Sequence, residues 1–227
     1  MDAPKTSEEM AYDKLRRAVL RGELPVNQFL SQRVLAERIG AAVVTLRAAM
    51  RSLEKEGLLE NVPRWGVRIP IETEESLIDR YYLRELLEVA ALRRIFEQID
   101  PALVENLRSK AEKCDRLANE DPENVELFAD RHFEFHHELT VASHSPLLIE
   151  ALDRLNLKTL MLYNANRGWG RGYLRSTHSQ LIQDLFGDGD LKDAEAALSL
   201  HVRQGLELEL AALRELKQAS EAASKLT

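Results

Sequence analysis

The stretch SQRVLAERIGAAVVTLRAAMRSLEKEGLL, residues 31–59, has the apolar spacing of two short helices joined by a tight turn. Apolar residues recur at three- and four-residue intervals on both sides of Gly40. Gly40 tolerates the left-handed backbone that ends a helix abruptly, and Ser31 is positioned to cap the first helix. The stretch predicts a helix-turn-helix, whose second helix enters the DNA major groove.

The residues on either side extend this motif to a winged helix-turn-helix. An amphipathic helix is predicted ahead of it, with Thr6 and Glu9 spaced as a capping box. Two β-type runs, at 58–62 and 67–69, flank a Pro-Arg-Trp-Gly tip and predict a hairpin, the wing. Three helices and a small hairpin are therefore expected in residues 1–70.

Charge is distributed unevenly between the two parts of the chain. The net charge of the whole sequence is −7. Residues 1–70 nevertheless hold 12 lysines and arginines against 9 acidic residues, whereas residues 71–227 hold 19 against 29. The positive part is the part with the DNA-binding pattern, as association with phosphates requires.

Residues 10–70 resemble the winged helix-turn-helix of the GntR family of bacterial transcription regulators. The matching residues are Leu15, Gly22, Leu24, Pro25, Leu30, Leu35, Ala36, Glu37, Gly40, Arg47, Ala49, Arg51, Leu53, Glu54, Glu56, Gly57, Leu58 and Gly66. The resemblance implies binding to an operator through Arg33, Arg38, Thr45, Arg47, Arg51 and Arg64. The family usually has Val-Ser-Arg-Thr-Pro after the turn glycine, and residues 41–45 here read AAVVT. The operator sequence is therefore not inherited from the family.

The rest of the chain predicts helices without strands. Residues 71–76 form the expected linker, 77–218 an all-helical ligand-binding domain and 219–227 a frayed tail. Helices are expected at 74–98, 101–119, 122–143, 146–165, 173–186 and 190–218. The predicted fold class is mainly α, a winged helix-turn-helix followed by a helical-bundle effector domain. The single cysteine, the lack of a signal-peptide pattern and the absence of a long apolar run favour a cytoplasmic protein without a membrane partner.

Four histidines in the second part have the spacing of a metal site. His132 and His136 are four residues apart, so they lie one turn apart on one helix face, an arrangement that gives a metal two imidazoles. His178 and His201, on the two following helices, could supply further ligands. The alternative is that these are hydrogen-bonded or surface histidines without a metal.

This second part resembles the C-terminal FCD domain of the FadR-type branch of the family. The resemblance is carried by Arg84 to Glu88, by Phe135-His136, Leu139, Ala142-Ser143, Pro146 and Leu148, and by His178 and His201. It implies a divalent metal held by an aspartate and three histidines, with His132 here at the position of the aspartate. Four imidazoles favour zinc or nickel over harder ions.

The resemblance also implies a small organic acid as the effector. Arg84 would bind its carboxylate, although an ion pair with Glu88 on the next turn is the open alternative. Further candidates to line the effector pocket are Tyr81, Asn164 and Arg175.

The predicted function is a ligand-responsive repressor that binds a palindromic double-stranded DNA operator as a homodimer. The alternative from another class is a metal-dependent hydrolase that uses the histidine cluster. Hydrolysis would require a positioned general base, and no HExxH spacing is present. The interpretation as a regulator also accounts for the wing, so no enzymatic activity is expected.

Overall fold

The computed structural model describes residues 5–20, 23–25, 28–70, 73–121, 124–155, 157 and 178–224. The chain divides into two compact units, Met1–Glu72 and Thr73–Thr227. The first contains three helices and a two-stranded hairpin, and the described residues of the second are helical with short connections. The predicted mainly α fold class, a winged helix-turn-helix followed by an all-helical unit, is confirmed.

The helices of the first unit begin and end at the expected capping residues. They are α1 (Ser7–Leu20), α2 (Gln32–Ile39) and α3 (Val43–Lys55). The capping box ahead of α1 is formed, because Thr6 N–H donates to Glu9 Oε2 at 2.7 Å and Glu9 N–H donates to Thr6 Oγ1 at 3.2 Å. Ser31 caps α2, and Gly40 ends it in the left-handed conformation with φ of 63°.

The apolar stripes of the three helices meet in one core. α1 packs against α3 and α2, and α2 packs against α3. Fully buried leucines from all three helices fill the centre, namely Leu15, Leu35, Leu46 and Leu53. At the start of α3, Ala42 supplies no capping side chain. The departure from the family pattern after Gly40 thus leaves the start of the recognition helix without the usual hydroxyl cap.

The wing is an antiparallel hairpin of β1 (Glu60–Val62) and β2 (Gly66–Arg68). On its other side β2 also pairs with Leu30, whose N–H donates to the Val67 carbonyl at 2.7 Å, which local sequence patterns did not indicate. Gly66 has φ of 106°, and a Cβ there would lie 2.5 Å from the Leu30 carbonyl oxygen. Only glycine fits both the backbone and the space at this turn.

The second unit is built from six described helices. They are α4 (Glu74–Glu97), α5 (Pro101–Glu120), α6 (Val125–Val141), α7 (Pro146–Arg154), α8 (His178–Phe186) and α9 (Leu191–Ser224). Thr73 and Asp100 cap α4 and α5 as their sequence positions suggested. Three helices differ clearly from the expected spans. α6 is capped by Asn124 and begins at Val125 instead of residue 122, and α7 ends at Arg154, well before residue 165. α9 continues six residues beyond 218, into the segment expected to be a frayed tail.

Packing of these helices produces one continuous core. α4 contacts α6, α7 and α9, while α5 contacts α6 and α8. Phe135, Leu139 and Leu198 are among the residues with no exposed surface. Cys114 on α5 is also fully buried, and burial raises the pKa of its thiol. Cys114 is therefore a small packed residue of the core.

The described helices do not have the character of membrane spans. None of them combines the length and the apolar character needed to cross a bilayer.

Candidate functional site

Four histidines from three helices of the second unit converge. His132 and His136 come from α6, His178 begins α8, and His201 lies on α9. One ring nitrogen from each lies within 4.8 Å of those of the other three. His132, His136 and His178 are buried and His201 is half-buried. The structure therefore brings together all four residues that the sequence analysis proposed as metal ligands.

A buried carboxylate sets the orientation of His136. Its Nδ1 lies 2.9 Å from Glu88 Oε2 on α4, so the protonated Nδ1 donates to the carboxylate. Its Nε2, left as a lone pair, lies 3.2 Å from His132 Nε2 and 3.3 Å from His201 Nε2. The other oxygen of Glu88 accepts from Arg84 Nε at 2.7 Å. An arginine, a carboxylate and an imidazole thus form one buried chain ending at the cluster.

His178 is held by a second carboxylate, Asp115 on α5. The Nδ1 atom of His178 lies 3.2 Å from Asp115 Oδ1, and the backbone N–H of His178 donates to the same oxygen at 2.8 Å. Asp115 Oδ2 accepts from the backbone N–H and the hydroxyl of Ser179, at 2.9 and 2.6 Å. Among the described residues, nothing hydrogen-bonds the buried Nε2 of His178. This nitrogen carries a lone pair inside the cluster.

Burial keeps the imidazoles of His132, His136 and His201 neutral at pH 7. It lowers the pKa of His132 and of His201 well below the usual value, and the charges of the neighbouring groups act in the same direction. Burial also lowers the pKa of His136, to about 4, although Glu88 opposes the shift. Neutral imidazole is the form that binds metal, so these three imidazoles are ready to do so at neutral pH.

The two carboxylates remain charged. Burial alone would raise the pKa of Glu88. The interactions with His136 and Arg84 outweigh the effect of burial and lower this pKa to about 2. Because His136 is neutral at pH 7, Arg84 is then the cation that compensates Glu88. Burial would likewise raise the pKa of Asp115, and the hydrogen bonds from His178 and Ser179 lower it to about 2.

The donor set and the spacing fit a divalent metal ion. Zinc binds imidazole nitrogen at about 2.0–2.1 Å, so two ligands of a tetrahedral site lie about 3.3 Å apart. The two Nε2 separations around His136, 3.2 and 3.3 Å, agree with that edge length. Nitrogens this close would repel through their lone pairs without a cation or a shared proton between them. Carboxylates behind ligating imidazoles are also common at metal sites.

The other histidines and Asp130 lie outside this cluster. His137 pairs with Asp153 at 3.1 Å, and His144 is exposed in a turn with φ of 52°. Asp130, two residues before His132, is half-buried and contributes no atom to the group of four.

Two of the four candidate effector residues can be located. Arg84 makes the ion pair with Glu88, one of the two roles left open by the sequence. The buried Tyr81 donates its hydroxyl to Glu209 Oε1 at 2.6 Å, and its ring lies 5.2 Å from Arg84 Cζ. Asn164 and Arg175 lie outside the described residues.

The candidate DNA-binding residues belong to the first unit and are mostly exposed. Arg33 and Arg38 lie on α2, Arg47 and Arg51 on α3, and Arg64 at the tip of the wing. Thr45, in the first turn of α3, is half-buried. Arg47 Nε donates to Gln32 Oε1 at 3.0 Å, which joins the recognition helix to α2.

Both parts of the chain match known protein families. Residues 7–69 match the gntR family of bacterial regulatory proteins, and residues 79–204 match the FCD domain. The chain belongs to the GntR family and carries an FCD domain. It is therefore a DNA-binding transcriptional regulator and not an enzyme.

Individual relatives agree with the family. The GntR regulator is 26% identical over 156 residues, 69% of each chain, to YdhC of Bacillus subtilis (strain 168), an uncharacterized HTH-type transcriptional regulator. It is 25% identical over 185 residues to the probable D-xylose utilization operon transcriptional repressor of Paenarthrobacter nicotinovorans, covering 81% of this chain and 80% of that one.

Solved structures agree with the fold. A GntR family member from Pseudomonas syringae pv. tomato str. DC3000 is 26% identical and matches with a TM-score of 0.53, over 96% of this chain and 89% of that one. Lar, described as controlling the Listeria monocytogenes agr system, matches with a TM-score of 0.64 over 94% and 99% of the two chains. Its identity of 19% supports the fold alone.

Three acidic residues of the GntR regulator, the buried Glu88 and Glu209 and the half-buried Asp115, were not assigned to the site from sequence. Glu88 was considered only as a partner of Arg84, and Asp115 and Glu209 were not singled out. Spacing gave no signal for them, because Glu88 meets a histidine 48 residues away and Asp115 one 63 residues away. An acidic residue on the apolar face of a predicted helix is the signal that would have drawn attention to Glu88.

Proposed function

We propose that this GntR regulator is a cytoplasmic repressor of the FadR type, whose operator binding responds to a small organic acid bound beside a divalent metal ion. The observation that supports it is the convergence of four imidazoles, three of them buried and one half-buried. His132, His136, His178 and His201 would hold the ion, and zinc or nickel suits this donor set. The bound ion would act as a Lewis acid that accepts a carboxylate oxygen.

The balance of charge around the cluster favours an anionic effector. Four neutral imidazoles do not reduce the charge of a divalent ion. Arg84 neutralises Glu88, so Asp115 is the orienting carboxylate that offsets part of that charge. A carboxylate from the effector would supply the remaining negative charge.

Arg84, Tyr81, Asn164 and Arg175 are the proposed effector contacts. Arg84 Nε is already bonded to Glu88, so an effector carboxylate would have to reach the terminal nitrogens of the guanidinium. Since Tyr81 lies against Arg84, binding there would also involve the Tyr81 ring. Arg84 and Tyr81 lie on α4, whose Glu88 hydrogen-bonds His136 on α6, which provides a route from the effector to the rest of the unit.

Repression would follow from operator binding by the first unit. Arg47 would bind a phosphate or a guanine, Arg33, Arg38 and Arg64 would bind phosphates, and Thr45 and Arg51 would complete the interface. The Paenarthrobacter relative carries the name of a repressor, which supports this direction of regulation. A palindromic operator matches the two-fold symmetry of a dimer.

An exposed apolar surface supports dimerisation through the second unit. Leu86 on α4 and Leu200 on α9 line one groove of about 510 Å³ and are 51% and 58% exposed. Tyr82, one turn before Leu86, is 62% exposed. Exposed apolar residues of this size, bordered by charged pairs such as Arg93 with Glu195, are typical of a protein interface.

The dimer is tested by sedimentation of a double variant, Leu86→Glu with Leu200→Glu. Two buried charges per subunit should convert a dimer to monomers at micromolar concentration. Leu147→Glu, at a 77% exposed position on α7, is the control and should remain dimeric. A wild-type protein that sediments as a monomer with and without DNA would refute the homodimer.

The ligand response is tested with an operator selected in vitro from random DNA. Fluorescence anisotropy would measure its binding to zinc-loaded and chelator-treated protein across a panel of small carboxylic acids. At least one acid should change the affinity of the zinc-loaded protein by about 5- to 150-fold, the usual range of coupling. An equal response from chelator-treated protein would eliminate the metal from the mechanism.

A further inference from the structure

The Asp115 carboxylate joins two features that belong to different parts of the fold. It contacts the imidazole of His178, a member of the four-histidine cluster, and it also receives the first backbone N–H groups of α8. We propose that Asp115 is a positioning residue that makes metal binding by His178 and formation of the first turn of α8 one cooperative event. This inference rests on the proposed metal site.

The Asp115 carboxylate has two tasks: both of its oxygens accept from backbone N–H groups at the start of α8, and Oδ1 also contacts the imidazole. Oδ1 accepts from the backbone N–H of His178 at 2.8 Å and lies 3.2 Å from its Nδ1. Oδ2 accepts from the backbone N–H of Ser179 at 2.9 Å and from its hydroxyl at 2.6 Å. The carboxylate, which belongs to a residue of α5, therefore accepts hydrogen bonds at the start of α8 as a capping group does.

The same bonds fix the direction of the imidazole. With Nδ1 protonated and bonded to Asp115, the lone pair of His178 is on Nε2. That nitrogen is buried in the cluster, and among the described residues nothing bonds to it. Without Asp115 the ring would be free to rotate and to change tautomer, and both changes remove the lone pair from the cluster.

Metal binding by His178 and capping of α8 should each strengthen the other, because the two free energies are linked. A metal ion on Nε2 withdraws electron density from the ring, which makes Nδ1–H a stronger donor to Asp115. The ion therefore stabilises the carboxylate in the position where it caps α8. By reciprocity, an intact first turn of α8 increases the affinity for the metal.

The experiment uses the full chain, stripped of metal with a chelator, and three variants. Zinc affinity is measured by competition with a chromophoric chelator. Amide hydrogen exchange reports on residues 178–182. Asp115→Ala removes both tasks, Asp115→Asn keeps an acceptor oxygen without the charge, and Ser179→Ala removes one capping bond that does not touch the imidazole.

In the wild-type protein, zinc should slow exchange in the first turn of α8. Asp115→Ala should weaken zinc affinity by about 10- to 100-fold and abolish that slowing, as expected for a residue behind a metal ligand. Asp115→Asn should fall between the wild type and Asp115→Ala. Ser179→Ala should keep the zinc affinity within about two-fold, because it leaves the imidazole in place.

Two failures can be told apart. A wild-type protein that binds no zinc overturns the metal site itself. A wild-type protein that binds one zinc per chain, with Asp115→Ala equal to it in affinity, overturns the role of Asp115 alone. Circular dichroism checks the fold of each variant. If Asp115→Ala is unfolded, a wild-type zinc affinity in Asp115→Asn would overturn the role of Asp115 instead.

Discussion

The two units of the protein carry their charged residues in opposite environments. In the first unit, Arg33, Arg38, Arg51 and Arg64 are exposed, and Arg47 is exposed with a contact to Gln32. In the second unit, Arg84, Glu88, His136 and His132 are buried and form one hydrogen-bonded chain, and the buried His178 is bonded to Asp115. A polyanion such as DNA can be bound by exposed surface cations, whereas a small metal ion requires ligand atoms that are already desolvated and oriented.

This difference predicts how each unit should respond to change. Exposed cations should contribute individually and depend on salt, since each replaces counterions on the DNA. Buried donors that share hydrogen bonds should respond as a group and depend little on salt. Four predictions test the contrast, beginning with the largest effect.

Removing a cluster imidazole should have the largest effect. In His136→Ala we expect zinc affinity to fall by at least about 100-fold, because four ligands that together supply about 10–16 kcal/mol contribute about 3 kcal/mol each. Elemental analysis and chelator competition would measure it. His137→Ala is the matched control, since His137 pairs with Asp153 outside the cluster. Full zinc content in His136→Ala would show that His136 is not a ligand.

Removing an exposed arginine from the recognition helix should have the next largest effect. Arg47→Ala should weaken operator binding by about 1–3 kcal/mol and, if Arg47 contacts a phosphate, reduce the salt slope by about one unit. Anisotropy titrations at several salt concentrations would measure both. Arg93→Ala, which removes an exposed arginine paired with Glu195 in the second unit, should change neither. Unchanged binding by Arg47→Ala would mean that α3 is not used as proposed.

Acid should destabilise the second unit before the first. The folded-state pKa of His136 is lowered from 6.5 to about 4, so the unfolded chain binds the proton first and stability falls as pH drops through this window. For His136 alone the loss by pH 5 is about 1–2 kcal/mol. Glu88, whose pKa is lowered from 4.5 to about 2, adds a loss of the same sign at lower pH.

The first unit should not share the loss above pH 4.5, because all six histidines lie between residues 132 and 201. Hydrogen exchange of chelator-treated protein at pH 7 and pH 5 would compare the two units in one sample. Equal loss of protection in both would contradict the assignment of the effect to buried imidazole.

The smallest effect is expected from a single buried hydroxyl. Tyr81→Phe removes the hydrogen bond to the buried Glu209, which should lower the free energy of unfolding by about 1 kcal/mol. Denaturant unfolding of the full chain would measure it. Tyr82→Phe, at an exposed neighbouring position on the same helix, should leave stability unchanged. Equal stabilities for the two variants would show that the Tyr81 hydroxyl is not needed to satisfy Glu209.

Local features of the fold could be predicted because they depend on neighbouring residues. Thr6, Ser31, Gly40 and Thr73 act at helix ends through contacts three or four positions away, which a sequence pattern contains. The start of α6 was less predictable, because Asp121 and Asn124 are both good caps and the sequence does not say which will be used.

The candidate site could be predicted only in part. Helical periodicity alone places His132 beside His136, while His178 and His201 were added through the resemblance to a family. The carboxylates behind the imidazoles, Glu88 and Asp115, depend on how α4 and α5 pack against α6 and α8. Long-range packing of this kind leaves no periodic trace in one sequence.

The burial of Cys114 makes the protein suitable for measurements of opening. It is the only cysteine in the chain, it has no exposed surface, and its raised thiol pKa leaves little thiolate to react. Alkylation of the native protein should therefore proceed only when helix α5 separates from its neighbours. Mass spectrometry would measure the rate of that reaction, which reports how often such openings occur, without any introduced probe. Because Asp115 is the next residue, the alkylation rate would also report on the part of the helix closest to the histidine cluster.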